Sequence, residues 1–144
     1  MELIKVARIP PVLASPEMTV AKAAALMVEK QVGAVVVVNA NKHVLGIFTE
    51  RDNLIKVTAS GCDPKTTPIS KVMSAPVSTA EPGMSVEDAL TLMIRSHFRH
   101  LPIVDSEKRV IGIVSIRYLL MRRLGEKQAA VDILEAYVGA GGPG

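Results

Sequence analysis

Tryptophan is absent from this sequence, and the aromatic side chains are Phe48, Phe98, Tyr118 and Tyr137 alone. A core must therefore be assembled from Val, Ile, Leu, Ala and Met. The shortage of rings also counts against nucleic acid, whose exposed bases stack on such platforms. Cysteine is nearly missing too. Cys62 stands alone, so neither an intramolecular disulfide nor a multi-cysteine metal site can form, which fits a reduced, cytoplasmic setting. Long apolar runs are lacking: the longest, Ala23 to Val28, falls far short of the roughly 20 residues that a bilayer span requires. The N-terminus has no apolar stretch of the signal-peptide kind, so neither membrane insertion nor export is expected. Charge of one sign is scarce, with 17 Lys and Arg against 14 Asp and Glu. There is no dense basic stripe for a nucleic-acid backbone. Acid–base pairs, phosphate-cradling glycine loops and Cys/His ligand spacings are missing as well. No enzyme activity, catalytic residue, metal ligand or catalytic cofactor is expected.

What the sequence does contain is itself, twice. Shifting it by 66 positions lays Ala14–Leu54 on Ala80–Leu120 without a gap, matching Pro16 with Pro82, Met27 with Met93, Gly46 with Gly112 and Arg51 with Arg117. Each copy is too small to bury its own apolar faces, which implies two copies packed about a pseudo-two-fold axis. The boundaries read as residues 1–66 for the first repeat, 67–125 for the second, and 126–144 for a C-terminal helix and tail.

Within the first copy, Thr19 is placed as an N-cap, with Val20, Ala23, Ala24, Met27 and Val28 on one helical face. Gly33 is expected to break that helix. The β-branched run Val35–Val38 reads as a strand covered on both faces. Asn39–Lys42 supplies a turn, and Val44–Phe48 returns as an antiparallel strand. A helix is expected from Thr49 to about Ala59. The second copy repeats the plan, with Ser85-x-x-Asp88 as a capping box and Val86, Ala89, Leu90, Met93 and Ile94 as the buried face. Strands follow at Leu101–Val104 and Val110–Ser115. Beyond the repeat, Lys127–Val138 keeps helical spacing.

The copies differ where a strand runs into a helix. The first junction reads Gly46-Ile47-Phe48-Thr49-Glu50-Arg51-Asp52, and the second Gly112-Ile113-Val114-Ser115-Ile116-Arg117-Tyr118. A helix start favours anions, and a hydroxyl and guanidinium there strengthen the preference. Asp52 admits two readings. Its carboxylate can accept hydrogen bonds from the vicinal hydroxyls of a ribose, or Thr49-x-x-Asp52 can be a capping box. The second junction starts the same helix without an acid, which favours the ligand. On that reading Asp52→Ala leaves stability nearly unchanged. Arg99-His100, opposite Gly33-Ala34 of the first copy, brings two cationic-capable groups that suit a phosphate.

The duplication, the Gly-Ile-x-Thr/Ser-x-Arg junctions and Arg99-His100-Leu101-Pro102-Ile103-Val104-Asp105 together resemble a cystathionine-β-synthase (CBS) domain pair over residues 8–124. The resemblance implies an α+β fold of tandem βαββα repeats packed sheet to sheet, a homodimer, and a stand-alone regulatory sensor, where many members are attached to the enzyme or transporter they control. It implies an adenosine-containing ligand (AMP, ADP, ATP, NAD or S-adenosylmethionine) in a cleft between the repeats. It also assigns roles. Asp52 and Thr49 go to the ribose side, with Arg51 in the first turn. Arg99, His100 and Arg117 go to the phosphate, and Val77, Ser78, Phe98 and Pro102 to the adenine. A mirror cleft of Val12, Val32, Gly33, Ala34, Ser115 and Tyr118 lacks the acid and the cationic pair, and is expected to be weak or plugged by Tyr118. The alternative is a ligand-free scaffold for dimerisation or protein interaction.

Overall fold

The computed structural model describes residues 1–126 together with Tyr137, so the helix expected over 127–138 otherwise lies outside the described residues. Thr19 accepts a hydrogen bond from Lys22 N and opens α1 (Val20–Lys30). Val20, Ala23 and Met27 are buried, but Val28 is 79% exposed. At 100° per residue the covered stripe is narrower than the apolar one, because the helix rests on a sheet along one line only. Ile94 of α3 (Val86–Ser96) is 57% exposed for the same reason. The turn that ends α1 comes at Gln31, in the left-handed conformation at φ 55°, and not at Gly33. His97 ends α3 in the same way at φ 61°.

Strand β2 (Ala34–Val38) is buried along its whole length. Val35 and Val37 join Val20, Ala23, Met27 and Phe48 in the core of the first repeat. The alternate residues Ala34, Val36 and Val38 meet Val104, Val110 and Ile113 of the second repeat. Period-two alternation thus gives one strand two apolar partners, and the sheets pack face to face. Antiparallel β3 (Val44–Thr49) sets Ala34 opposite Thr49 and Val36 opposite Ile47. In the second repeat β4 (His100–Val104) and β5 (Val110–Ser115) pair in the same register, with the irregularity at the equivalent place.

Two features depart from the sequence reading. The helix from Thr49 is α-helical only over α2 (Glu50–Asp52) and then widens into a π-helical stretch, Asn53–Thr58, whereas α4 (Ile116–Glu126) stays regular. The short strand β1 (Leu13–Ala14) lies parallel to β2, but its counterpart is a single bridge, Ala80 to Ile103. Pro102 explains this. Val36 N donates to Val12 O at 2.9 Å, and Pro102 at the equivalent position has no N–H to donate to Ser78.

The repeats exchange their leading segments. The 3-10 turn Leu3–Val6 packs into the core of the second repeat, with Leu3 N donating to Met84 O and Val86 N to Met1 O. The turn Ile69–Lys71 completes the first repeat in the same way, with Ile69 N donating to Met18 O and Val20 N to Thr67 O. Arg8 then bridges to Ile113 and Ser74 to Ile47. Each pair obeys the 66-residue offset, so the internal symmetry begins at Met1 and not at Ala14.

The crossing chains explain Gly46 and Gly112. A Cβ on Gly46 would stand 2.6 Å from Met73 Sδ and 2.9 Å from Ser74 O; on Gly112 it would meet Ala7 Cβ and Arg8 O at 3.3 Å. Gly46→Ala is expected to lower the urea-unfolding free energy by about 1–3 kcal/mol. Gly112→Ala should cost distinctly less, and equal effects would contradict this account.

Candidate functional site

Both junctions lie at the same end of their sheets, opposite the hairpin turns. At the first, Asp52 is the one buried polar or charged residue among the described residues, at 6% exposure. Its Oδ2 accepts from Thr49 N and Thr49 Oγ1, both at 3.1 Å, and Asp52 N donates to Thr49 Oγ1 at 3.1 Å. The capping box is formed in full. Oδ1 faces the segment arriving from the other repeat, accepting from Ser74 Oγ at 2.8 Å and from Lys56 Nζ at 3.1 Å. The carboxylate is thus a structural centre whatever else it does.

At the second junction Ser115 Oγ accepts from Tyr118 N at 3.1 Å, so the hydroxyl cap survives without the acid. Arg8 replaces Ser74 under the offset and Arg122 replaces Lys56. Tyr118 is 48% exposed. Arg51 and Arg117, each in the first turn of its helix, are exposed.

The junctions meet through His100. Its Nε2 lies 3.7 Å from where a Gly33 Cβ would be, and Glu50 Oε1 lies 3.3 Å from the same point. Glu50 N donates to Gly33 O at 3.0 Å, and in the other repeat Ile116 N donates to Arg99 O at 2.8 Å. His100 is therefore flanked by its own Ser115 and by Gly33 and Glu50 of the opposite repeat. Gly33, assigned to the mirror cleft from the sequence, shares its surroundings with His100 of the main one.

His100 also requires a correction. Burial, reinforced by the neighbouring Arg99 charge, pushes its imidazole down to about 4 from an ordinary 6.5. It is neutral at pH 7, and the cationic pair expected at 99–100 reduces to Arg99.

The apolar members fall on either side. Val77 packs on the interface cluster of Ala34, Val36, Ile47, Val104 and Ile113. Phe98 packs on the core of the second repeat, and Val12 and Val32 on that of the first. Pro102 and Ala34 are buried, and Ser78 is exposed. Ser74 links Asp52 to the segment that carries Val77 and Ser78.

Glu50, Ser74 and Lys56 did not emerge from the sequence. Lys56 had a signal, since it stands one helical turn beyond Asp52. Ser74 had a weaker one, in the matches Lys5 with Lys71, Val6 with Val72 and Pro10 with Pro76 that extend the repeat past its gap-free core. Two concavities lie elsewhere. One of about 90 Å³ is lined by Met1, Val6, Val86, Glu87, Leu119 and the arginines 122 and 123. An open one of about 450 Å³ lies among Lys42, His43, Glu107 and Arg109, where the hairpin turns touch. Neither adjoins Asp52. Among the described residues no group of His, Cys, Asp or Glu is placed to hold a metal, and no helix is long and apolar enough to cross a membrane.

Comparison with known proteins places this architecture. The family model for the CBS domain matches residues 4–52 and 69–125. An uncharacterized protein of Methanopyrus kandleri is 40% identical over 116 residues, which cover 81% of this chain and 59% of that protein. The CBS domain-containing protein YhcV of Bacillus subtilis is 39% identical over 80% of both chains. Among solved structures, the CBS-domain containing protein ATU1752 of Agrobacterium tumefaciens superposes with a TM-score of 0.76 at 27% identity, covering 85% of this chain and 99% of that one. A CBS domain protein of Pyrobaculum aerophilum, complexed with AMP, gives 0.75 at 23% identity over 82% and 89% of the two chains. The CBS domain pair of protein MJ0100, in complex with 5′-methylthioadenosine and S-adenosyl-L-methionine, gives 0.80 at 23% over 88% and 98%.

Two stability predictions follow from this geometry. The unfolded chain binds a proton at His100 near pH 6.5, and the folded chain only near pH 4. Stability is therefore full above pH 6.5 and is lost as pH falls toward 4, by up to about 3 kcal/mol. His100→Asn should flatten that limb of a melting-temperature profile; an unchanged limb would assign it to other groups. Asp52→Ala, by opening the capping box and leaving Ser74 and Lys56 without their acceptor, should cost about 1–3 kcal/mol in urea unfolding. This replaces the expectation of unchanged stability.

Proposed function

Because the chain belongs to the CBS-domain family, we propose that it is a regulatory binding module for an adenosine-containing ligand held between its two repeats. Asp52 and Thr49 take the ribose, with Arg51 beside them. Arg99 and Arg117 take the phosphate, and His100 joins them once an anion draws a proton onto its ring. Adenine lies against Val77, Ser78, Phe98 and Pro102. The mirror cleft of Val12, Val32, Gly33, Ala34, Ser115 and Tyr118 offers no acid to a ribose and binds weakly. The observation that carries this reading is the asymmetry of the junctions: a buried carboxylate at one, a half-exposed Tyr118 at the other. The ligands of the Pyrobaculum protein and of MJ0100 support the ligand class.

Calorimetry with AMP, ATP, NAD and S-adenosylmethionine tests the proposal. At least one should bind, and Arg99→Ala should weaken AMP about tenfold while leaving adenosine little changed, since a guanidinium–phosphate bond is charge-assisted. If none binds, the scaffold reading replaces this one.

One observation favours a scaffold role alongside ligand binding. The exposed apolar residues Val28 and Ile94, and Ile55 and Met121, are equivalent pairs under the offset, and Leu54 is also 63% exposed. We propose that this symmetric helical surface forms a homodimer. Ile55→Asp combined with Met121→Asp should give a monomer in sedimentation analysis; an unchanged mass would place the interface elsewhere.

A further inference from the structure

The surroundings of Asp52 hold a residue that nothing above assigns to the ligand. Lys56 Nζ lies 3.1 Å from Asp52 Oδ1, 3.2 Å from Ser74 Oγ and 3.4 Å from Met73 O. An ammonium has three donors, and all three are used. Ser74 Oγ donates to the same Oδ1 at 2.8 Å, which closes a ring of Asp52, Ser74 and Lys56. With Thr49 N and Oγ1 on Oδ2, the carboxylate has four donors on about four lone-pair sites. It has no acceptor capacity left for a vicinal diol.

A ribose can reach Asp52 only by displacing one of these donors. Thr49 N is fixed by the helix start. Lys56 is the exchangeable one, because its side chain is 41% exposed and can carry its charge into water with little loss. The arrangement is particular to the first repeat. Tyr118 replaces the acid in the second, and Arg122 at the Lys56 position turns its guanidinium toward Met1 Sδ.

We propose that Lys56 is a specificity-determining gate on the ribose site. It occupies Oδ1 of Asp52 and yields it to a ligand that brings two adjacent hydroxyls, and not to one that lacks them. This rests on the nucleotide reading and adds to it a residue that competes with the ligand. Removing the ammonium frees the carboxylate, so Lys56→Met should tighten adenosine and AMP alike, by about two- to fivefold. It should leave 2′,3′-dideoxyadenosine unchanged. Ser74→Ala should act in the same direction through the second donor of the ring.

Calorimetry on the parent chain, Lys56→Met, Ser74→Ala and Asp52→Asn, with melting temperatures recorded beside each titration, separates the outcomes. Tightening of adenosine and AMP by Lys56→Met, absent for the dideoxy compound, supports the gate. If Lys56→Met weakens AMP and not adenosine, Lys56 is a phosphate contact and the gate is overturned. No change in either ligand overturns it too, while weakening by Asp52→Asn keeps the ribose site. If Asp52→Asn binds adenosine as tightly as the parent does, or no chain binds at all, the ribose site falls and the gate with it.

Discussion

The architecture depends on a close crossing of backbones: the segment leading into each repeat runs over the last strand of the other, at a glycine that leaves little or no room for a side chain. Gly46 lies under Met73 and Ser74, and Gly112 under Ala7 and Arg8. Once those crossings are made, Leu3 and Val6 enter one core, and Ile69 and Val72 the other. The two sheets are then held face to face through Val36, Val38, Val104 and Ile113. Hydrophobic burial drives this packing, and the glycines allow the approach distance.

The chemistry of the site follows from the same crossing. Ser74 meets Asp52 because the segment that completes the first core ends there, and Val77 and Ser78 continue along the interface. The carboxylate therefore caps α2 and anchors an arriving chain, and on the proposed reading it is also the group a ribose would use. Burying such a charge is expensive unless it is fully hydrogen-bonded, and four donors meet that requirement. The second junction holds a hydroxyl cap and Tyr118 instead, so the fold closes without the acid.

Most of the fold could be read from the sequence because duplication doubles every signal. Val35–Val38 and Leu101–Val104 each confirmed the other as strands, and Thr19 and Ser85 as caps. What escaped did so for physical reasons. The exchange of leading segments is a long-range event, and the matches that betray it, Lys5 with Lys71 and Pro10 with Pro76, are too sparse for periodicity to detect. The exposure of Val28 and Ile94 depends on how flat a sheet their helices rest on, which no helical wheel records. The protonation state of His100 is set by burial at the meeting of the repeats, and its residue type alone suggested a cation. Asp52 was ambiguous between cap and ligand, and the structure forms the cap in full.

The exchanged leads bear on how such a chain arises. One repeat with its own lead has a core that lacks a turn and a turn that lacks a core. Two separate copies repair both defects by trading leads, which makes a domain-swapped dimer of half-length chains. Joining the copies ahead of residue 67 changes none of those contacts and only ties them together. One polypeptide then holds an assembly that two half-length chains would have to find by collision. Its two halves differ at the equivalent position, one carrying Asp52 and the other Tyr118.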